Sequence, residues 1–194
     1  MGMDETRIPA LAVVGWHNSG KTRLVVELTK ILSEYGLRVA TVKHAADLQE
    51  LEDPMSDSAK HQAAGARETL LVGRNRCALY RRLSPGDEHH VPLELLSDGT
   101  SDLILVEGFK HSHLPKIETY RRTERLVAAP LAGEVDVRAV VTNEQIALPD
   151  GVRVFRWSEM EALAEWVMEC IIGERGTGVE HADGRKSGRE GRET

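Results

Sequence analysis

Residues Gly15-Trp16-His17-Asn18-Ser19-Gly20-Lys21-Thr22 carry the spacing G-x-x-x-x-G-K-T. That pattern grips phosphate. Main-chain N–H groups of such a loop, and the positive end of the helix that follows it, face an anion. Lys21 reaches the outer phosphates, and the Thr22 hydroxyl can ligate Mg²⁺. Gly15, His17, Asn18, Ser19 and Gly20 form the expected cradle, and Arg23 is counted with the binding set. Trp16 and His17 read as a wall over the phosphates or a packing surface rather than as a reacting pair.

A phosphate loop needs a strand before it and a helix after it. Ile8 to Val14 is apolar and reads as a strand. Leu24, Val25, Leu28, Ile31, Leu32 and Tyr35 recur at helical spacing, and Gly36 follows as a stop. With both flanks in place, a nucleoside triphosphate is the expected ligand.

The second half of such a site is an acid at the end of a neighbouring apolar strand, holding Mg²⁺ directly or through water. The segment from Asp102 to Gly108 offers Asp102 and Glu107. Ligands of parallel sheets gather at the C-terminal strand ends. Asp102 precedes the strand, roughly 15 Å from that edge at the rise of an extended chain. Glu107 follows the strand and is the expected metal ligand. Asp57, at the exit of an acid-rich loop over residues 45–57, is a second candidate, for the γ-phosphate or its magnesium; equally, it suits the first turn of a helix as a charge complementing the dipole. Lys21, Glu107 and Asp57 are thus the residues expected to carry any hydrolytic chemistry, and Thr22, Glu107 and Asp57 the metal set. Lys43 and His44 end a second strand on the same edge and are candidates for an anionic ligand. Asn143 ends a later strand where a purine can be contacted. The chain has no N-K-x-D there, so the residues themselves leave the base undecided.

The remaining pattern is α/β. Residues 37–42 read as a strand, and Ser56 caps a short helix that runs to Ala64 and stops at Gly65. Residues 69–72 and 77–81 form a hairpin around Gly73. Residues 91–96 suit a short helix. Residues 103–106 are apolar enough for a strand covered on both faces. Residues 116–120, 137–142 and 152–157 are further strands, and Ser158 caps a closing helix through Ile172. The expected architecture is a doubly wound, mostly parallel sheet of the P-loop NTPase type, with helices on both faces. The hairpin and the strand at Lys116 look like additions to it.

The chain has 194 residues and a formal net charge of −6, which argues against wholesale binding to nucleic acid or acidic membranes. Cys77 and Cys170 lie far apart and imply free, buried or semi-buried thiols. His89-His90 and His111-x-His113 lie in polar stretches without a nearby Cys and read as loop histidines. No signal peptide or membrane-spanning run is visible, so a cytoplasmic protein is expected. Residues 1–172 form the expected nucleotide-binding domain. Residues 173–194 hold six glycines, five acids and five bases, and read as a disordered polar tail.

The loop at 15–22, then Thr41-Val42-Lys43-His44, Asp57-Ser58 leading to Ala64-Gly65-Ala66, and the block from Asp102 through Glu107-Gly108-Phe109-Lys110 together resemble the molybdopterin-guanine dinucleotide biosynthesis protein B family. The likeness runs from about Ile8 to Ile172. It implies a dimeric GTP-binding protein that uses Mg²⁺, hydrolyses GTP slowly at best, and assists the guanylyltransferase that attaches GMP to molybdopterin. It carries the phosphate and magnesium roles to Gly20, Lys21 and Thr22, and the strand-end acid role to Glu107. Asn143 stands where members of that family often carry an acid. Two other functions fit a P-loop of this class: a nickel-insertion metallochaperone GTPase, which needs clustered thiolate or His ligands, and a small-molecule kinase, in which Lys43 and Lys110 would hold an acidic acceptor.

Overall fold

The computed structural model describes residues 8–45, 53–84, 93–96, 100–122 and 129–173. Gly173 apart, the expected tail lies outside them, as do Asp47, Glu50 and Glu52 of the acid-rich loop and the His89-His90 pair. The strands are β1 (Ala10–Val14), β2 (Val39–Lys43), β3 (Glu68–Val72), β4 (Cys77–Arg81), β5 (Leu103–Glu107), β6 (Lys116–Thr119), β7 (Val137–Val141) and β8 (Arg153–Phe155). Six of them form one sheet in the order β2-β5-β1-β6-β7-β8, with every pairing parallel.

The apolar runs at 11–14 and 103–106 are continuous because both faces of the sheet are covered. Leu11, Val13, Leu103 and Leu105 point to one face, where α1 (Lys21–Glu34) and α3 (Met160–Val167) pack on them. Helix α1 buries Leu24, Val25, Leu28, Ile31 and Leu32, the stripe its spacing predicts. Ala12, Val14, Ile104 and Val106 point to the other face. There they meet Leu93 from the 3-10 turn Leu93–Leu96, and Leu131 and Ala132 from the turn Leu131–Gly133. Helix α2 (Asp57–Ala63) starts where expected, with the Ser56 hydroxyl accepting from the Ala59 N–H at 3.0 Å.

Three local expectations need correction. The strand at Lys116 is no addition: β6 lies inside the sheet, between β1 and β7. It looks peripheral in sequence because Lys116, Glu118 and Thr119 are polar, yet all three are buried and partnered. Lys116 Nζ donates to the carbonyls of Ser112 and Leu114 at 2.7 and 2.9 Å. Glu118 accepts the N–H groups of Leu131 and Ala132 at 2.8 and 3.0 Å, and burial pushes its carboxyl above the usual range. Second, Ser158 does not cap the closing helix. Glu159 occupies that position without a side-chain cap, and the last five residues, Met168–Ile172, are a π-helical turn. Third, Cys77 is exposed on the hairpin, while Cys170 is half-buried; both are free thiols.

The hairpin β3–β4 forms a separate antiparallel sheet, as expected. It leaves Leu70, Leu71, Val72 and Leu79 exposed, Val72 by 77%.

Candidate functional site

The loop after β1 begins at Gly15 with φ +145°. A Cβ there would lie 2.4 Å from the Thr119 carbonyl oxygen and 2.6 Å from Ser19 Oγ, so no side chain fits. The Ser19 N–H donates to the Trp16 carbonyl at 3.2 Å, and Asn18 takes a left-handed φ of +58°, which asparagine tolerates. Gly20, at φ +107°, hands the chain to α1 while the Trp157 indole presses against it; a Cβ would sit 2.9 Å from the ring. Ser19 Oγ and Thr119 Oγ1 are 2.7 Å apart and buried, which ties the loop to the end of β6. The loop is therefore held in shape by the sheet before any ligand arrives.

Lys21 folds back over this loop, its ammonium donating to the carbonyls of Gly15 and Trp16 at 3.1 and 2.9 Å. Burial lowers its pKa from the ordinary value; Glu107 opposes that shift and Lys43 adds to it. A half-buried, desolvated ammonium among carbonyls gains most from an incoming polyanion. Glu107 lies at the end of β5, next to β1 and in register with Val13. Its Oε1 accepts from the Thr22 hydroxyl at 2.7 Å and stands 3.5 Å from Lys43 Nζ. Asp102 is at the opposite edge, where it binds the Arg38 guanidinium through both oxygens.

The cavity over the loop has a volume of about 750 Å³. His17, Asn18, Gly20, Lys21, Thr22, Arg23, Lys43, His44 and Glu107 all line it, so nearly the whole expected set converges on one place. Its cationic content suits a polyphosphate. Thr22 and Glu107 present hard oxygen donors side by side, a set that fits Mg²⁺ completed by phosphate oxygens and water.

Two expected residues do not join that cavity. Asp57 is not among the residues lining it; it occupies the first turn of α2, its carboxylate 91% exposed and 2.9 Å from Lys60 Nζ. That is the helix-terminal role its position also allowed. Asn143 lines a neighbouring cavity of about 340 Å³ together with Asn18, Gly20, Arg23 and Trp157. Trp16 donates from Nε1 to the Ala129 carbonyl at 3.1 Å and carries Lys110 over its ring, so it packs as a wall. His111 and His113 line a polar cavity with Lys116 and Asp136. Among the described residues no group of three or more His, Cys, Asp or Glu side chains is placed to hold a metal ion, and no helix is long and apolar enough to cross a membrane.

Sequence reasoning missed Thr119 and Trp157. Thr119 ends β6 and Trp157 follows β8, at the edge where the loop sits, and that shared edge is the signal that finds them.

Fold and site together define a P-loop NTPase-like α/β protein. The chain belongs to the molybdopterin guanine dinucleotide synthesis protein B family, whose model matches residues 10–143. It is 32% identical over 181 residues to the molybdopterin-guanine dinucleotide biosynthesis adapter protein of Escherichia coli, covering 89% of this chain and 98% of that protein. Its identity to the adapter protein of Haemophilus influenzae is 31%, over 71% of this chain and 76% of the relative. Among solved structures, a crystal structure of molybdopterin-guanine biosynthesis protein B superposes with a TM-score of 0.62 at 28% identity, covering 82% of this chain and 97% of the other. The structure of Bacillus subtilis MobB gives 0.62 at 26% identity, covering 86% and 99%.

Proposed function

We propose that this protein is a GTP-binding adapter in molybdenum cofactor biosynthesis, assisting the guanylyltransferase that converts molybdopterin to its guanine dinucleotide. The observation that carries the reading is the convergence of a preformed phosphate loop, Lys21 and the Thr22–Glu107 pair in one cavity, in a chain similar along 89% of its length to an adapter protein of that step. Loop N–H groups from residues 15–22 hold the phosphates, and Lys21 exchanges its two carbonyl partners for phosphate oxygens. Thr22 and Glu107 would hold Mg²⁺, which supplies charge neutralisation across the phosphates. Lys43 and His44, on the far rim, add positive charge for an anionic ligand.

Hydrolysis is slow in this scheme. Among the described residues no Gln lines the cavity to orient a water, and Arg23, which does line it, is committed to the Trp157 ring and to Glu27. The protein therefore acts by binding and presentation, in the cytoplasm, without nucleic-acid or membrane partners. The exposed apolar hairpin supports a homodimer. A two-stranded sheet is marginal alone, and Leu70, Val72 and Leu79 gain by burial against a second copy. The metallochaperone reading finds no ligand cluster among the described residues.

The test is reconstitution. At limiting GTP, adding the wild-type chain to the guanylyltransferase and molybdopterin should raise the yield of guanine dinucleotide, and the Lys21→Ala variant should not. An equal yield with and without the wild-type chain would reject the adapter role. Stoichiometric Ni²⁺ uptake on dialysis, or phosphoryl transfer from ATP to a metabolite, would favour the alternatives.

A further inference from the structure

The cavity beside the phosphate loop shares Asn18, Gly20 and Arg23 with the phosphate cavity, so a ligand whose phosphates fill one extends directly into the other. Its far wall is Trp157, half-buried against the core and pressed on Gly20. The Arg23 guanidinium lies over that indole, 4.4 Å from the ring centroid, and its Nε–H is anchored by Glu27 at 2.7 Å. Flat, apolar and edged with cations, this is a stacking surface for a heterocycle. Asn143 completes it. Its Oδ1 accepts the Trp157 main-chain N–H at 3.2 Å, which turns the Nδ2 donors toward the remaining space. Glu144, the acid next along, is occupied by the Arg122 N–H.

We infer that this cavity is the base subsite, with Trp157 and Arg23 as its stacking wall and Asn143 as the residue that selects a 6-oxopurine over a 6-aminopurine. The inference rests on the phosphate reading above and extends it. Guanine presents two adjacent acceptors, N7 and O6, along one edge, whereas adenine presents an acceptor beside an N6 donor. A rim that offers donors, from Asn143 and Arg23, matches the first pattern and leaves the adenine amine facing another donor. The volume of about 340 Å³ accommodates a purine with part of its ribose.

Calorimetric titration of the full chain with Mg-GTP, Mg-ATP and Mg-triphosphate separates the two subsites. Trp157→Ala should weaken GTP by about tenfold or more, the scale of one stacking surface removed, while inorganic triphosphate binds as in the wild type. Asn143→Ala should lower GTP by about fivefold and leave ATP unchanged, erasing the preference; the Trp157 N–H it releases is exposed and can bind water. Triphosphate binding doubles as the check that the loop is intact. If Trp157→Ala also loses triphosphate, the wall has taken the loop with it, and Asn143→Ala decides the matter alone. Wild-type GTP affinity and selectivity in Asn143→Ala would overturn the assignment. Failure of the phosphate reading is distinguishable, because the unmodified chain would then bind none of the three ligands.

Discussion

The Thr22 hydroxyl donates to Glu107 Oε1 at 2.7 Å, joining the first turn of the helix after the phosphate loop to the end of the adjacent strand. The two oxygens expected on one Mg²⁺ are thus already neighbours without it. Parallel register between β1 and β5 puts them there, since Glu107 pairs with Val13, two residues before Gly15. Metal binding then replaces one hydrogen bond rather than assembling a site.

Glu107→Gln keeps the shape and the acceptor for Thr22 but removes the charge. GTP affinity in EDTA should stay within about threefold of wild type, a small electrostatic change at a half-open site. The enhancement on adding Mg²⁺ should largely vanish. Titrations with and without the metal measure both; an unaltered magnesium response would remove Glu107 from the metal site.

Gly15→Ala should be damaging in two ways. The new methyl would meet the Thr119 main-chain oxygen at 2.4 Å, and φ +145° is unfavourable for any L side chain. Urea unfolding should show a loss of about 2 kcal/mol or more, with GTP binding abolished as the loop shifts. A variant as stable as wild type would mean the loop is not braced by β6.

Removing apolar surface from the hairpin should separate the dimer. Val72→Lys, at a residue 77% exposed in the single chain, puts a charge on the proposed interface without touching the core. Sedimentation should show monomers for the variant and dimers for the parent, with GTP affinity retained. Dimers in both would shift the interface elsewhere.

Asp102 predicts an acid dependence. Its side-chain and backbone hydrogen bonds from Arg38 hold its carboxyl at about 2, below the ordinary 3.8. A depressed folded-state pKa stabilises the fold above the unfolded value and loses that effect as pH falls through the folded one. Wild type should therefore exceed Asp102→Asn in stability at neutral pH, and the gap should close between about pH 4 and pH 2. A gap independent of pH would show that the pair contributes nothing through charge.

What could be read in advance depended on the range of each interaction. The loop at 15–22 and its flanks are local, and Glu107 follows from strand direction alone. Strand β6 was hidden because its polar residues are satisfied by distant groups: Thr119 by Ser19 and Glu118 by Leu131. No short window of sequence contains both partners. Trp157 was hidden for the same reason, since it touches Gly20 and Arg23 only after the sheet closes. Asp57 was ambiguous because its two roles share one local pattern, and the structure puts it beside Lys60.

The central claim is that the loop and Lys21 grip a polyphosphate. Calorimetric titration of Mg-GTP into wild type and Lys21→Ala tests it most directly. Wild type should bind one GTP per chain, and the variant should bind at least about 100-fold more weakly, the scale expected when a desolvated, charge-assisted hydrogen bond is removed, with its unfolding midpoint unchanged. Equal affinity in the two proteins would contradict it.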